Sequence, residues 1–465
     1  MADTLATYCA TVESPDDETV SHLERHLLDW IGLVFGGRTQ AASSPSVIAG
    51  IDALSNRSTG SGSATDGSLL TGTSLAPDRT ALLAGTFAHS LDFDDTHRES
   101  SLHPGAPVIA ATLPVAREER STGADLLAAI SLGYDVTCAL GRAVGPDAHY
   151  DRGFHLTATC GTFGATAAVG HLRGFDAATF ESAFGINGSQ VAGSLQFLEN
   201  GAWNKRLHPG LAASRAIEAI ELADAGFRGA ADPIEGTYGF LTGYTDAPNP
   251  DALASIEPGA AIRETALKPY PCCRYMHAAI DGTLEIGDRV DPDAVESVQV
   301  DIPRPGVRLT GEPIAAKRRP SNVVDCQFSL PFAIALALTT GKAGLSAFLD
   351  AQDRLDGPDL QGLMDRVDVV STPRTNDPFP DQWTAHVVVE AGRRHEQFVE
   401  HPRGEPENPL TETALEEKFR DLATTASVPV AVADDVIEAV AGLGSGSTDA
   451  LFSSLDRAES AMGGS

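Results

Sequence analysis

The feature that most limits how this chain can fold is a change in the spacing of its apolar residues. From about residue 18 to about residue 260 they recur at helical intervals, as in "SHLERHLLDWIGLVFGG". We expect a helix there, with a capping box of Ser21 and Glu24 and a stop at Gly36 and Gly37. Further helices are predicted at 79–91, 105–119, 123–142, 158–173, 176–192 and 209–226, with loops such as "GSGSATDGS" (60–68) between some of them. The helix in "TATCGTFGATAAVGHLRG" is so rich in small residues that we expect it in the middle of the bundle.

After about residue 267 the pattern becomes typical of short strands. Four strands are predicted, in "VESVQVDIP", "RVDVVSTP", "WTAHVVVEAG" and "RRHEQFVEH", and the last two are joined by a turn at Gly392. Helices are predicted near 273–286 and 327–340, and helical spacing returns in "ETALEEKFRDLATTA" and "ADDVIEAVAGL". The predicted fold is therefore mostly α with an α+β insertion. Residues 1–266 and 404–465 form the all-helical domain and residues 267–403 the smaller α+β domain, and 465 residues suffice for two cores.

The composition is strongly acidic, with 64 acidic residues against 33 basic ones and a formal net charge of -31. Binding to a nucleic acid backbone needs a basic surface, so we expect no nucleic acid partner. The basic residues include few lysines, namely Lys205, Lys268, Lys317, Lys342 and Lys418. An acid-rich, lysine-poor surface favours solubility in high salt, which indicates a halophilic protein.

The N-terminal segment "MADTLATYCATVESPDDETV" lacks the basic and apolar regions of a signal peptide, so a cytoplasmic location is predicted. The strongly apolar segment from Phe328, "FSLPFAIALALTTG", is too short to cross a bilayer, and we expect no membrane span. Six scattered cysteines form no C-x-x-C pair, which argues against an iron–sulfur cluster and favours reduced thiols.

Polar side chains that can carry chemistry are concentrated in four stretches. They are "HSLDFDDTHRESSLHPG" (89–105), "RGFHLTATCGTFG" (152–164), "WNKRLHPG" (203–210) and "KPYPCCRYMHAAID" (268–281). His103, His155 and His208 are predicted at helix starts, where free backbone N–H groups bind anions. A cluster of Lys205, Arg206 and His208 in so acidic a chain indicates an anionic ligand, although a solvated loop is the alternative.

A metal site is the main competing interpretation of the first stretch. Asp92, Asp94, Asp95, His97 and His103 are hard ligands near one predicted helix end. A helical Mg²⁺ enzyme acting on diphosphates needs a second acidic cluster, and no predicted helix supplies one. We therefore expect neither a metal nor a redox cofactor.

Taken in order, the motifs in these stretches resemble the MmgE/PrpD family, which includes 2-methylcitrate dehydratases, cis-aconitate decarboxylases and iminodisuccinate epimerases. The resemblance runs from about residue 15 to residue 440 through "LDFDDTH", "HPG", "GFHLTAT" with "GTFGA", "KRLHPG" with "EGTYGF", "KPYPCCRYMHAAID" and "DCQFSLPFA". It implies a helical domain built from both chain ends, an α+β lid, a homodimer and an active site between domains. The catalytic residues it implies are Asp92, His103, His155, Lys205, Lys268 and His277. Leu156 stands where the family commonly has proline.

The expected substrate is a small di- or tricarboxylate. Its carboxylates need cationic partners in a desolvated cleft, and Arg206, His208 and Arg274 are the predicted binding residues. We expect a lyase such as a 2-methylcitrate dehydratase, with Lys205 or His103 as base and His155 or Asp92 protonating the leaving hydroxyl. Epimerisation of a dicarboxylate, cis-aconitate-type decarboxylation and noncatalytic carboxylate binding remain alternatives. Lys205 and Lys268 are expected to converge with the histidines on one cleft.

Overall fold

The computed structural model describes residues 2–59, 75–199, 201–352 and 354–463, so the predicted loop "GSGSATDGS" lies outside the described residues. The chain divides into two compact units, Met1–Ala266 with Leu415–Ser465 and Leu267–Ala414. The second unit extends past residue 403, where the insertion was expected to end. Helices dominate the first unit and a small sheet with helices forms the second, which confirms the predicted fold class.

The N-terminal part of the first unit is built from helices and one short pair of strands, as far as the described residues go. The strands are β1 (Thr96–His97) and β2 (Thr265–Ala266), which pair antiparallel. The helices are α1 (Ala2–Thr11), α2 (Asp17–Gln40), α3 (Ser44–Thr59), α4 (Pro77–Ala88), α5 (Gly105–Glu119), α6 (Gly123–Val144), α7 (Pro146–Asp151), α8 (Leu156–Leu172), α9 (Ala177–Asn187), α10 (Asn204–Asp224), α11 (Phe240–Tyr244), α12 (Asp251–Ala254) and α13 (Ala260–Arg263).

Helix α8 is the centre of this unit. It packs against α5, α6 and α10, and every residue from Leu156 to Gly170 is buried. Its small side chains allow this close packing on all sides, so the predicted central position is confirmed. Helix α6 is long and apolar enough to cross a membrane, but 89% of its most apolar window is buried inside the protein, as in a core helix. The six cysteines are free and buried.

Close contacts between helix backbones set where the polar stretches lie. A Cβ atom on Gly210 of α10 would come within 2.1 Å of the Leu82 carbonyl oxygen of α4, so only glycine fits there. This contact holds the start of α10 against α4, whose C-cap is His89. Helix α10 begins at Asn204, earlier than predicted, so His208 lies inside the helix and the expectation of His208 at its start is wrong.

Helix α2 also differs from the prediction at both ends. It begins after Asp16, whose side chain accepts a hydrogen bond of 2.8 Å from the Thr19 backbone N–H. The capping box of Ser21 and Glu24 is therefore wrong, since both residues lie inside the helix. The predicted glycine stop is wrong too, because α2 continues to Gln40. Gly37 is instead a packing position, where a Cβ atom would lie 2.0 Å from the Phe87 carbonyl oxygen.

The second unit contains a four-stranded sheet in the order β4-β3-β5-β6. Strands β3 (Ser297–Asp301) and β4 (Val367–Val370) are parallel, whereas β5 (Ala385–Ala391) is antiparallel to β3 and to β6 (Arg393–Val399). The predicted turn at Gly392 between β5 and β6 is confirmed, and this glycine has a φ of 66°. The helices are α14 (His277–Gly287), α15 (Arg304–Gly306), α16 (Ile314–Lys317), α17 (Val323–Gln327), α18 (Leu330–Thr340), α19 (Leu345–Gln352), α20 (Pro358–Met364) and α21 (Pro373–Asn376).

The C-terminal part of the chain completes the first unit. It contains α22 (Glu412–Thr425), α23 (Val430–Ala441) and α24 (Asp449–Met462). Helix α23 packs on α24 and on α2, so the two chain ends share one core. Leu415, Phe419 and Leu422 form the buried face of α22.

Candidate active site

The loop after α4 contains three aspartates, Asp92, Asp94 and Asp95, and each contacts different partners. Asp92 has a φ of 53°, in the left-handed region that favours glycine. Its Oδ1 atom accepts a hydrogen bond of 2.9 Å from the Lys205 ammonium group in the first turn of α10. The Lys205 side chain is 27% exposed, so the pair lies at the edge of the protein interior. The Lys205 ammonium group and the Asp92 carboxylate thus form a charge-assisted hydrogen bond.

Asp94 is fully buried and lies between two histidines. Its Oδ2 atom is 2.6 Å from Nδ1 of His89 and 3.2 Å from Nδ1 of His103. Burial alone would raise the pKa of Asp94, but the two imidazoles overcome this and hold the pKa well below its ordinary value. An ionised Asp94 therefore lies against both rings, and the His103 side chain remains 13% exposed.

Asp95 connects the loop to the helices behind it. Its carboxylate accepts a 2.6 Å hydrogen bond from the Tyr134 hydroxyl of α6 and a 3.2 Å bond from the Gly105 N–H at the start of α5. His26 of α2 lies 3.3 Å from the same carboxylate. The role of Asp95 is thus to hold the segment that carries His103.

Four histidines form a continuous cluster beside this loop. The His89 ring lies 4.7 Å from the His103 ring and 5.7 Å from the His155 ring, between centroids. The Nδ1 atoms of His155 and His208 are 3.1 Å apart, so one ring donates a hydrogen bond to the other. His155 is the N-cap of α8 and makes no capping bond with its side chain. Thr157, in the first turn of α8, accepts a hydrogen bond from the His103 backbone N–H at 3.1 Å.

Burial determines the charge of three of these rings. It lowers the pKa of both His89 and His208 to about 4, with Asp94 opposing the shift at His89. Burial and the neighbouring histidines also hold the pKa of His155 well below its ordinary value. These three imidazoles are therefore neutral at pH 7 and cannot supply the imidazolium charge expected from the sequence. Positive charge comes from Lys205 and from Arg206, whose Nη1 atom donates a 3.3 Å hydrogen bond to Ser43.

His208 also lines a cavity of about 360 Å³. Phe197, Asn204 and Arg215 also line it, together with Gln190, whose buried amide oxygen has no hydrogen-bond partner among the described residues. The described residues that line the cavity include no Asp or Glu, and Arg215 forms no ion pair with any described residue. The cavity is thus cationic in a strongly acidic protein.

Most of the residues predicted as possible metal ligands have separate hydrogen-bond partners and do not face one common point. Among the described residues, one group of three lies close enough to share an ion, namely His89, Asp94 and His103. Its shortest spacing, 2.6 Å, is that of a hydrogen bond and is shorter than the separation of about 3 Å between neighbouring ligands of one ion. His97 instead pairs with Ser100 through Nδ1 at 2.6 Å and with Glu264 through Nε2 at 3.3 Å.

The other predicted residues belong to the second unit and are described within it. Lys268 is buried. Arg274 forms a buried two-pronged ion pair with Glu405, with Nε 2.6 Å from Oε1, and it covers the Trp383 ring at 4.6 Å. A substrate carboxylate would have to displace Glu405 to bind Arg274. His277 begins α14, and its Nε2 atom is 3.2 Å from the Cys272 carbonyl oxygen. The roles of these residues and their convergence with Lys205 stay predictions.

Sequence reasoning did not single out His89 as a functional residue, although it begins the first quoted stretch. It named Asp94 among the possible metal ligands and did not connect it with His89. The spacing of five residues between them carries no helical or strand signal, because α4 ends at Ala88, before both residues. The loop after α4 folds back on itself, and this places the Asp94 carboxylate next to His89.

The chain belongs to the MmgE/PrpD family, as the motifs predicted. Residues 3–253 match the MmgE/PrpD N-terminal domain and residues 270–441 match the MmgE/PrpD C-terminal domain. The chain is similar to the cis-aconitate decarboxylase of Aspergillus terreus, with 25% identity over 384 residues and 76% of each chain covered. It is also similar to a cis-aconitate decarboxylase-like protein of Aspergillus oryzae (27% over 375 residues; 75% of this chain, 76% of the relative) and to human cis-aconitate decarboxylase (25% over 359 residues; 74% and 72%).

Proposed function

We propose that this protein is a cofactor-independent lyase that acts on a small tricarboxylate by proton transfer next to a carboxylate. The observation that carries the proposal is the cluster of buried, neutral histidines beside the Asp92–Lys205 ion pair. Neutral imidazoles accept and pass on protons at pH 7, whereas the neighbouring ammonium and guanidinium groups bind carboxylates. Cations that bind an anion, Lys205 and Arg206, thus lie next to histidines that can transfer protons.

His103 is the group that we assign to proton exchange with the substrate. Its side chain is partly exposed, and Asp94 orients the ring and stabilises its protonated form. Lys205 and Arg206 bind substrate carboxylates and stabilise negative charge that develops on the carbon skeleton. His89, His155 and His208 connect His103 to the open cavity that His208 lines, so that a proton given to the substrate can be replaced from solvent.

The first reaction to test is decarboxylation of cis-aconitate, because the curated relatives carry that name. The bond to the departing carboxylate breaks and CO₂ leaves. Its electron pair becomes a new double bond, and the former double bond takes up one proton from His103. Dehydration of 2-methylcitrate is the second candidate reaction. There a base removes the α proton, an acid protonates the hydroxyl and water leaves as the double bond forms.

The experiment is a substrate panel with purified protein in high salt. Cis-aconitate, 2-methylcitrate and iminodisuccinate are supplied separately, and CO₂ release, product NMR spectra and exchange of the α proton with D₂O are followed. CO₂ release identifies the decarboxylase, a new conjugated double bond identifies the dehydratase, and exchange alone identifies an epimerase. Absence of all three signals with every compound would refute the proposed function.

Variants then test the assigned roles. We expect Lys205→Ala and His103→Gln each to lower kcat/KM by about 10²-fold or more, as for loss of charge stabilisation or of a proton donor. Lys205→Arg should keep much of the activity, because a guanidinium still pairs with Asp92 and binds a carboxylate. Lys342→Ala is the matched control, since this lysine is exposed in the second unit. A fully active His103→Gln protein would contradict the assignment.

A homodimer and a cytoplasmic location are further parts of the proposal. The dimer is supported by large apolar side chains exposed on the first unit, including Trp203, Phe227 and Tyr238. Light scattering of the purified protein in high salt should give twice the chain mass. A monomer over the working concentration range would contradict it.

A further inference from the structure

Lys418 is one of only five lysines, and it lies far from the four motif stretches in sequence. It extends from α22, and its side chain is only 6% exposed. Its Nζ atom is 2.6 Å from Oδ1 of Asp29 on α2. The same ammonium donates a 3.1 Å hydrogen bond to the Phe93 carbonyl oxygen and lies 3.8 Å from the centre of the Phe93 ring. Lys418 therefore contacts both the backbone and the side chain of Phe93, a residue of the active-site loop.

Stability alone does not explain a buried ion pair at this position. Transfer of an ammonium group and a carboxylate out of water costs free energy that their attraction only partly recovers. An apolar pair of similar size commonly gives a protein of equal or greater stability. Acidic composition has also left few lysines in the chain. A specific interaction of Lys418 with its surroundings is the remaining reason for an ammonium group there.

The residue that Lys418 holds lies between the two functional carboxylates. Asp92, on one side of Phe93, has a left-handed backbone and binds Lys205. Asp94, on the other side, orients His89 and His103. Lys418 contacts both the carbonyl oxygen and the ring of Phe93. A displacement of Phe93 would therefore shift the two residues bonded to it in the chain, Asp92 and Asp94.

We propose that Lys418 and Asp29 form a positioning pair, which holds the Phe93 peptide so that Asp92 faces Lys205 and Asp94 faces the histidines. Asp29 keeps the ammonium charged and in place, and Lys418 makes the contacts with the loop. The C-terminal segment thus completes an active-site loop that lies more than 300 residues earlier in the chain. The expected effect on catalysis rests on the proposed function. The predicted geometry of the loop does not depend on that function.

The kinetic test compares Lys418→Met, Asp29→Asn and the double variant with the parent protein. Lys418→Met keeps the length and apolar stem of the side chain but removes the ammonium group. We expect kcat to fall about 10-fold to 100-fold while KM changes less than about threefold, because the carboxylate-binding groups Lys205 and Arg206 remain. The double variant should be no worse than Lys418→Met, since the two residues act as one unit. Lys418→Arg should recover part of the lost kcat.

Several controls separate positioning from a purely structural role. Lys342→Met makes the same substitution at an exposed lysine of the second unit and should leave kcat unchanged. Circular dichroism and thermal unfolding identify the temperatures at which each variant is folded, and kinetics are compared only there. If Lys418→Met does not fold, Asp29→Asn carries the test alone. A folded variant with unchanged kcat would overturn the proposal.

A structural measurement keeps this inference distinct from the proposed function. A crystal structure of Lys418→Met or Asp29→Asn should show the Phe93 peptide reoriented and the 2.9 Å contact between Asp92 and Lys205 lost. An unchanged loop would refute the positioning role even if the enzyme is a lyase. If the parent protein turns over none of the panel compounds, the proposed function fails, whereas the predicted loop movement is still measured.

Discussion

Lowering the pH from 7 to 5.5 should destabilise the first unit strongly, because several of its histidines are buried in neutral form. Burial lowers the pKa of His89, His149 and His208 to about 4. In the unfolded chain each of them has an ordinary pKa of about 6.5. Between these values the unfolded state binds more protons than the folded state, so stability falls as the pH falls.

The size of the effect follows from the pKa differences. For one histidine, lowering the pH from 7 to 5.5 reduces the free energy of unfolding by about 1.3 kcal/mol. Three histidines together reduce it by about 4 kcal/mol. Asp135 acts in the opposite direction, because burial raises its pKa to about 6 and the folded state takes up a proton there. This offsets about 1 kcal/mol, which leaves a net loss of about 3 kcal/mol. The lowered pKa of His155 adds a loss of the same sign.

Urea unfolding at constant high salt measures this loss. A Trp383→Phe background leaves Trp30 and Trp203 as the tryptophans, both in the first unit, so their fluorescence reports on that unit. The free energy of unfolding should be about 3 kcal/mol lower at pH 5.5 than at pH 7, a shift of the urea midpoint by about 1 M or less, because the m-value of a unit this large is about 3 kcal/mol/M or more.

A variant localises the effect to a single histidine. His149 donates or accepts hydrogen bonds with Tyr244 and Thr159 and lies outside the proposed proton-transfer cluster. His149→Gln should reduce the pH-dependent loss by about 1.3 kcal/mol relative to the parent protein, whatever it does to stability at pH 7. Equal stability at pH 7 and pH 5.5, or a gain at pH 5.5, would refute the reasoning that these imidazoles are buried in neutral form.

Three further predictions concern activity. Asp94→Asn should lower kcat by about 10-fold to 100-fold and should leave the protein folded, because an amide cannot stabilise a protonated His103, and unchanged kcat would contradict this role. Arg215→Gln should raise KM about 10-fold with kcat nearly constant if the cavity beside His208 binds a substrate carboxylate, and an unchanged KM would exclude that contact. Activity should survive dialysis against EDTA, whereas loss of activity and its recovery with Mg²⁺ or Mn²⁺ would support a metal at His89, Asp94 and His103.

Much of the fold could be predicted because apolar spacing depends only on local geometry. A repeat of 3.6 residues predicted the helices of the first unit, and a repeat of two predicted the strands of the second. The turn at Gly392 and the central position of α8 followed from residue size and backbone freedom. The motif stretches likewise identified the family, because their order along the chain is itself a sequence property.

Helix ends were less predictable, since they depend on what packs there. "WNKRLHPG" was expected to precede a helix, but α10 begins at Asn204 and includes Pro209 in its second turn. Gly37 looked like a stop until its contact with the Phe87 carbonyl oxygen showed it to be a packing position. Both Gly37 and Gly210 pack closely against α4, and such a contact with a distant helix cannot be inferred from the local sequence pattern.

The residue types of the candidate site are a property of the sequence, whereas their charges and partners are decided by the tertiary structure. The sequence alone supplied an acidic chain with a few cations and with histidines beside Pro-Gly motifs. Only the folded chain separates Asp92, Asp94 and Asp95 among different partners and surrounds Asp94 with His89 and His103. Only burial makes the other imidazoles neutral, because a pKa depends on the solvent and charges around a group. Lys418 reaches Phe93 for the same reason, since contacts between distant segments exist only after the helices have packed.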